Sequence, residues 1–191
     1  MKPTIIKLLS TLVLLLILQI CSVIFIYSSK GIPIHYISID QLLLIIRVIL
    51  ELFVITTLLF VSFWITNKKQ VYIRTLSTVI TAYGVFVFQY LVEFTWLLLT
   101  KENYSLFEIN NFSTFSLLNI VGFEGTPLYL IYPLQTANLW ELFFIIVLSA
   151  LLTKQTKLPL KTILLIILCA YILPLLCWVG FICYTNMLNL V

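Results

Sequence analysis

Residues 41–66 read QLLLIIRVILELFVITTLLFVSFWIT, and this apolar run contains one arginine, Arg47, and one glutamate, Glu51. A helix needs roughly 20 apolar residues to cross the hydrocarbon core of a bilayer. The run is longer than that, and the polar residues 67–70 end it. It is therefore predicted to be a membrane-spanning helix.

The composition of the whole chain agrees with that prediction. Of its 191 residues, 62% are hydrophobic and only 9% are charged. Soluble domains are about 45–50% apolar and about 25% charged, so this chain has too few polar residues to cover the surface of a soluble fold. A cytosolic globular enzyme, a disordered segment and a nucleic-acid reader are excluded.

Four other apolar runs complete a predicted all-α fold, a single transmembrane bundle of five helices. The predicted spans are 5–27, 41–66, 75–100, 138–153 and 160–187, and Pro174 is expected to kink the last one. The first run is interpreted as a retained helix, because it is longer than a usual signal region and no A-x-A-like cleavage site follows it. Residues 101–137 form the only large loop.

The basic residues predict the orientation of this bundle. Eight of the 11 lie at the N-terminal end of the chain or in and directly beside the second-to-third and fourth-to-fifth connections: Lys2, Lys7, Lys68, Lys69, Arg74, Lys154, Lys157 and Lys161. Five spans place all three regions on one side, and basic loops stay in the cytoplasm. We therefore expect a bacterial inner-membrane protein with a cytoplasmic N-terminus and an external C-terminus.

The large loop then lies outside the membrane and has a pattern of its own. Ser113 is expected to cap a short helix that ends at Gly122, and Thr126-Pro127 is typical of the start of a second one. The residues between them are too apolar for a solvated loop. The loop is predicted to contain short helices that lie on the outer membrane face or enter it.

Polar side chains inside the spans are the candidate functional residues. A charge near the middle of a membrane helix costs at least about 2.5–3.5 kcal/mol, so each requires an explanation. At 1.5 Å per residue, the polar positions of the first three spans all fall in the outer half of the membrane, and they form one predicted cluster: Gln19, Arg47, Glu51, Gln89 and Glu93.

Two interpretations of this cluster remain open from the sequence. In the first, its charges and Glu141 line a vestibule that takes a cation, an amine-bearing headgroup or a proton. In the second, Arg47 pairs with Glu51 or Glu93 and locks the bundle, while Gln89 and Glu93, four residues apart, hydrogen-bond to neighbouring helices. Glu141 also has a local explanation, because Asn138 precedes it by three residues, the spacing of a capping box.

No catalytic or metal-binding motif accompanies these residues. The chain has one histidine, His35, and one aspartate, Asp40, and none of its four cysteines has CxxC spacing. The short signatures of zinc, nucleotide and serine-hydrolase sites do not occur. We expect a protein without a metal or another cofactor, and without enzymatic activity.

Part of the second half resembles the Yip family of small five-span membrane proteins, in its prokaryotic branch. The resemblance rests on residues 116–129, SLLNIVGFEGTPLY, and on 138–143, NLWELF, and it covers roughly residues 110–186. In that family an Asn/Asp-Leu-Phe-x-x-Trp sequence starts the fourth span; here Trp140 and Phe143 interchange the two aromatic residues. The resemblance implies a five-helix bundle with a cytoplasmic N-terminus. The Rab-binding activity of eukaryotic members is not expected, because it uses an extended N-terminal region.

Two functions follow as expectations. The first is a scaffold or accessory subunit that associates with membrane lipids, with a partner membrane protein or with its own copies, and not with nucleic acid. The alternative is a small transporter or channel subunit whose polar pathway uses Arg47, Glu51 and Glu93. A lipid-modifying enzyme within the membrane is a third and less favoured hypothesis.

Overall fold

The structure, a computed structural model, describes residues 37–66, 70–100 and 112–188, together with six separate positions before residue 22. Within these residues it is helical, and pairing between extended segments is limited to one antiparallel bridge between Ser116 and Asn138. The all-α prediction is therefore confirmed for this part of the chain. The predicted first span, 5–27, including Gln19, lies outside the described residues except for those separate positions.

The described chain forms eight α-helices and one π-helical turn. The helices are α1 Ile37–Ile65, α2 Tyr72–Ala82, α3 Gly84–Thr100, α4 Leu117–Val121, α5 Leu128–Thr136, α6 Leu139–Thr156, α7 Leu160–Ile167 and α8 Leu173–Leu188, and the π-helical turn is Leu168–Ile172.

Four helical segments in the described residues are long and apolar enough to cross a membrane: Ile46–Ile65, Tyr72–Trp96, Leu139–Thr156 and Leu160–Leu188. They overlap the second to fifth predicted spans. The fourth was predicted to end near Thr153, but α6 continues to Thr156, where Lys157 adopts a left-handed conformation with a φ of 57°. This helix therefore has 18 residues and is long enough to cross a bilayer.

Two of these segments depart locally from regular α-helix. The predicted span 75–100 begins at Tyr72, and it tightens for one turn at Tyr83, where the Phe86 N–H donates to the carbonyl of Tyr83, three residues earlier. The backbone stays helical through this turn. The segment from Leu160 widens into the π-helical turn just before Pro174. Proline has no N–H and its ring crowds the carbonyl four residues earlier, so the irregularity expected at Pro174 is taken up by the turn that precedes it.

The buried core lies between α1, α2, α6 and α7. Helix α1 packs against α2, α7 and the π-helical turn, while α6 packs against α2, α3 and α7. The side chains of Leu59, Phe63, Leu148 and Ile163 are completely buried there. Beyond the π-helical turn, α8 packs against α5 instead, and none of its side chains is buried.

The two ends of the bundle differ in chemistry. At one end Gln155 accepts a hydrogen bond from Thr78 and donates from Nε2 to Oε1 of Gln70, at 3.3 Å. These bonds bring the end of α6, with Lys154 and Lys157, to the start of α2, with Arg74. We call this the basic end. Residues 112–137, which we call the loop segment, lie at the opposite end.

The loop segment contains two short helices, although neither begins where it was predicted. Helix α4 begins after Ser116, not at Ser113, and α5 begins after Pro127, which occupies the cap position expected for Thr126. The Thr126 hydroxyl instead donates to the Gly122 carbonyl, at 2.6 Å. Each cap thus lies further along the chain than predicted, by three residues for α4 and by one residue for α5.

Replacing Gly122 with alanine is expected to destabilise the protein by about 1–2 kcal/mol, because Gly122 has φ 90° and ψ 160°, a region that is open essentially only to glycine. No heavy atom lies within 4 Å of the added Cβ, so backbone strain is the only expected cause. Thermal unfolding in detergent measures the effect.

Gly84→Ala is the matched control, because its Cβ also meets nothing within 4 Å and Gly84 lies in helical conformation at the start of α3. That change should be neutral or stabilising by about 0.5–1 kcal/mol. Equal losses for the two variants would contradict the strain at Gly122.

Candidate functional site

A cleft of about 1000 Å³ lies between α1, α3, α6 and α8, and the loop segment closes one side of it. We call it the polar cleft, and its charged and amide-bearing lining residues are Arg47, Glu51, Gln89, Glu93, Gln135, Asn138 and Glu141. Four members of the predicted cluster, all except Gln19, therefore lie around one cavity. Glu141, which was interpreted mainly as a capping residue, joins them.

Glu51 is held from the opposite wall by a tyrosine. The Tyr83 hydroxyl donates to Oε2 of Glu51 at 3.0 Å. Tyr83 lies between α2 and α3, and its side chain is almost completely buried. This buried hydroxyl is a fixed donor to a carboxylate on a membrane-length helix.

Glu141 is held in the same way from the last membrane helix. The Tyr171 hydroxyl donates to Oε2 of Glu141, and Tyr171 belongs to the π-helical turn. Asn138 caps α6, since its Oδ1 accepts from the Glu141 backbone N–H at 2.8 Å. The carboxylate of Glu141 therefore bonds to Tyr171, a role that differs from the return contact of a capping box.

An aromatic layer lies beneath these two carboxylates. Phe144 is completely buried, and its ring centroid is 5.0 Å from that of Tyr171, 5.1 Å from that of Phe86 and 6.4 Å from that of Tyr83. We call these four rings the aromatic layer. Its two tyrosines bond to Glu51 and Glu141, so the layer links the two carboxylates through packed rings.

Glu93 has a different environment, because its partners tie the loop segment to α3. Its Oε1 accepts from Gln89 Nε2 at 2.8 Å and from the backbone N–H of Thr114 at 3.1 Å. Gln89 also donates to the hydroxyl of Ser113, at 3.2 Å, and Trp140 donates from Nε1 to the hydroxyl of Thr114, at 3.0 Å. Glu93 therefore anchors the loop segment over the cleft.

Arg47 lines the cleft with an exposed side chain, one helical turn from Glu51. Among the residues that the structure describes, it forms no ion pair within 4.0 Å with Glu51, Glu93 or Glu141. Its positive charge is close enough to Glu51 to attract that carboxylate. In this geometry Arg47 is available to a ligand.

The arrangement is suited to recognising charge and hydrogen-bonding groups. The described part of the chain contains no group of three histidine, cysteine, aspartate or glutamate residues placed to hold a metal ion. The cleft instead offers carboxylates as acceptors and a guanidinium with up to five donors. Such a lining fits a ligand that carries positive charge, or both positive and negative charge.

Sequence reasoning missed the tyrosines that position the carboxylates. Tyr83 precedes Gly84, and Tyr171 lies three residues before Pro174. Glycine and proline inside a predicted helix are signals of an interruption. The sequence therefore placed a tyrosine close to each of these two signals. It did not indicate which glutamate each tyrosine hydroxyl contacts.

Comparisons with known proteins identify no relative of this chain. No family model, no curated protein and no solved structure matches the chain. The resemblance of residues 110–186 to the Yip family gains no support from them and stays a prediction.

Proposed function

We propose that the chain is a non-enzymatic multi-pass membrane protein that binds a small polar or amphipathic ligand in the polar cleft. The observation that carries the proposal is the convergence of Arg47, Glu51, Glu93 and Glu141, from three separate helices, on one cavity. Charged groups within membrane segments are expensive, and in membrane proteins they commonly mark ligand or ion sites. Two of the carboxylates are held by buried tyrosines, so the acceptors are fixed before a ligand arrives.

The proposed arrangement in the membrane has five spans, with the N-terminus in the cytoplasm of a bacterial cell and the C-terminus outside its inner membrane. The bonds between Gln155 and Thr78 and between Gln155 and Gln70 support it, because they hold two of the basic connections at the same end. The loop segment and the mouth of the polar cleft then belong to the external side.

The proposed biological role is that of a scaffold or accessory subunit, with ligand binding in the cleft coupling the protein to membrane lipids or to a partner. Exposed apolar side chains cover the outer faces of α6 and α8, including Phe143, Ile146 and Phe181. Such faces meet lipid or another membrane helix. Recovery of a stable partner or of a homo-oligomer from native membranes would support this role, and a partner-free monomer would count against it.

A carrier function is the second candidate, with Arg47, Glu51 and Glu93 as its polar pathway. All three residues line the polar cleft. Charged residues within membrane segments commonly mark the pathways of solutes and ions. Solute flux through reconstituted protein that persists unchanged in Glu51→Gln and Glu93→Gln would exclude this candidate.

Thiol labelling tests whether the cleft is an external, solvent-connected site. Leu50 lines the cleft, and the adjacent Ile49 does not, although both are exposed on α1 at nearly the same depth. In a background with the four native cysteines replaced by alanine, Leu50→Cys is expected to react several-fold faster than Ile49→Cys with a membrane-impermeant reagent added outside. Equal rates would contradict a ligand site open to the external side.

A further inference from the structure

The charges of the polar cleft are arranged in two zones. Arg47 lies towards the loop segment, and Glu51 is four residues deeper on α1, an axial distance of about 6 Å. Glu141 lies with Glu51 above the aromatic layer, since Tyr83 and Tyr171 bond to the two carboxylates and both pack on Phe144. A ligand that fits both zones carries an anionic group and a cationic group within one short headgroup.

The cleft also has an apolar side. Leu50 and Val54 on α1 and Trp178 on α8 line it, and about half of each side chain is exposed, at 57%, 49% and 54%. Helix α1 packs on α7 and on the π-helical turn, whereas α8 packs on α5. The walls of the cleft formed by α1 and α8 therefore expose apolar surface beside its charged lining. A ligand with hydrocarbon chains and a charged headgroup matches both surfaces.

We propose that the polar cleft binds the headgroup of a zwitterionic phospholipid with a primary ammonium group. Arg47 contacts the phosphate, Glu51 and Glu141 accept hydrogen bonds from the ammonium, and the acyl chains leave along Val54 and Trp178. Arginine suits this role because its planar guanidinium matches the oxygens of a phosphate. This inference rests on the proposed function and names the ligand class of the same site.

The surroundings of the carboxylates favour a primary ammonium over a quaternary one. Quaternary ammonium groups are recognised by the open faces of aromatic rings arranged as a cage. Here the rings of Tyr83, Phe86, Phe144 and Tyr171 pack against one another, with centroid distances of 5.0–6.4 Å. Each carboxylate accepts one tyrosine hydroxyl and retains further lone pairs, which suit the three N–H donors of a primary ammonium.

Native mass spectrometry of the full chain, released from nanodiscs of defined composition, tests the proposal. The probes are phosphatidylethanolamine, phosphatidylcholine and phosphatidylglycerol, each offered at equal concentration, with soluble O-phosphoethanolamine as a competitor. Retention of phosphatidylethanolamine is expected to exceed that of the other two by about tenfold, the effect of one charge-assisted hydrogen bond. The soluble competitor should displace little, because it lacks the acyl chains.

Substitutions in each zone of the cleft test the role of that zone separately. Arg47→Gln is expected to reduce retention of phosphatidylethanolamine about tenfold, and Arg47→Lys, which keeps the charge, should lose less. The double variant Glu51→Gln/Glu141→Gln should remove the preference for phosphatidylethanolamine over phosphatidylglycerol, a change in selectivity that misfolding alone would not produce. Arg74→Gln, an exposed arginine at the basic end, is the control and should bind as the unmodified chain does.

The outcomes distinguish this inference from the proposed function. Equal retention of the three lipids, a preference for phosphatidylglycerol or phosphatidylcholine, or full displacement by O-phosphoethanolamine would overturn the lipid assignment and leave ligand binding in the cleft intact. Absence of every adduct, together with equal labelling of Leu50→Cys and Ile49→Cys, would overturn both.

Discussion

Phe144→Ala is expected to lower the free energy of unfolding by about 3 kcal/mol, the lower end of the range for truncating a buried phenylalanine. Phe144 is completely buried and contacts the other three rings of the aromatic layer. In a membrane the lost hydrophobic transfer is small, because lipid tails are as apolar as the core. The cavity and the lost ring contacts remain, so the expected effect is still large.

Phe143→Ala is the matched control for this variant. Phe143 is the preceding residue of α6, about half of its side chain is exposed, and its ring contact is with Trp140 at 6.0 Å. Its loss should change stability by less than 1 kcal/mol on the same helix, as for surface substitutions in general. Thermal or denaturant unfolding in one detergent compares the two, and equal losses would mean that the aromatic layer does not support the fold.

Glu93→Ala is expected to release the loop segment from α3. The substitution leaves the Thr114 N–H without its acceptor and removes one of the two acceptors of Gln89. An unsatisfied buried donor costs about 1–3 kcal/mol. Hydrogen exchange of the backbone amides of residues 112–121 should accelerate markedly, while exchange in α6 and α7 changes little. The unfolding temperature should fall as well.

Two further variants make the Glu93 experiment specific. Glu93→Gln retains a carbonyl oxygen that accepts from Thr114, so it should recover a large part of the loss. Glu124→Ala removes a carboxylate from an exposed turn of the same loop segment and should leave exchange unchanged. If Glu93→Ala behaved as Glu124→Ala does, the loop segment would be held by other contacts.

The parts of the fold that the sequence predicted are those controlled by local signals. Long apolar runs located the four membrane-length helices, because such helices satisfy their backbone bonds internally and need only sufficient length. The start of α6 was found for a similar reason, since Asn138 and its acceptor bond to the Glu141 N–H lie within three residues. The depth calculated along the predicted helix grouped Arg47 with Glu51, because both residues lie on one helix.

The parts that were missed depend on partners distant in the chain. Ser113 has the local features of a helix cap, but its hydroxyl accepts from Gln89, 24 residues earlier, and α4 begins after Ser116. Glu141 has the spacing of a capping box, but its carboxylate bonds to Tyr171, 30 residues later. Spacing along the chain gives no information on partners that are distant in sequence. The sequence analysis therefore assigned each of these side chains to a nearby partner.

Each of the two interpretations of the intramembrane charges describes a different residue of the cluster. Glu93 serves the bundle as a hydrogen-bond acceptor, much as the locking interpretation expected, although its partners are Gln89 and Thr114 rather than Arg47. Arg47 lines the cavity. The cluster thus contains both a structural residue, Glu93, and a candidate ligand contact, Arg47. The sequence alone does not distinguish these two roles, because both residues are charged and lie at a similar depth in predicted spans.

The π-helical turn at residues 168–172 determines where Tyr171 meets the polar cleft. A π turn holds one residue more than an α turn, so it absorbs that residue and leaves α7 and α8 in about the relative rotation of one continuous helix. Deleting Cys169, an exposed residue of the turn, would give regular α-helical spacing. Each remaining residue of the turn would then advance by about 100°, so the Tyr171 hydroxyl would turn away from Glu141 while α8 keeps its orientation. A single-residue deletion in this turn would therefore remove one donor from the cleft without substituting any residue that lines it.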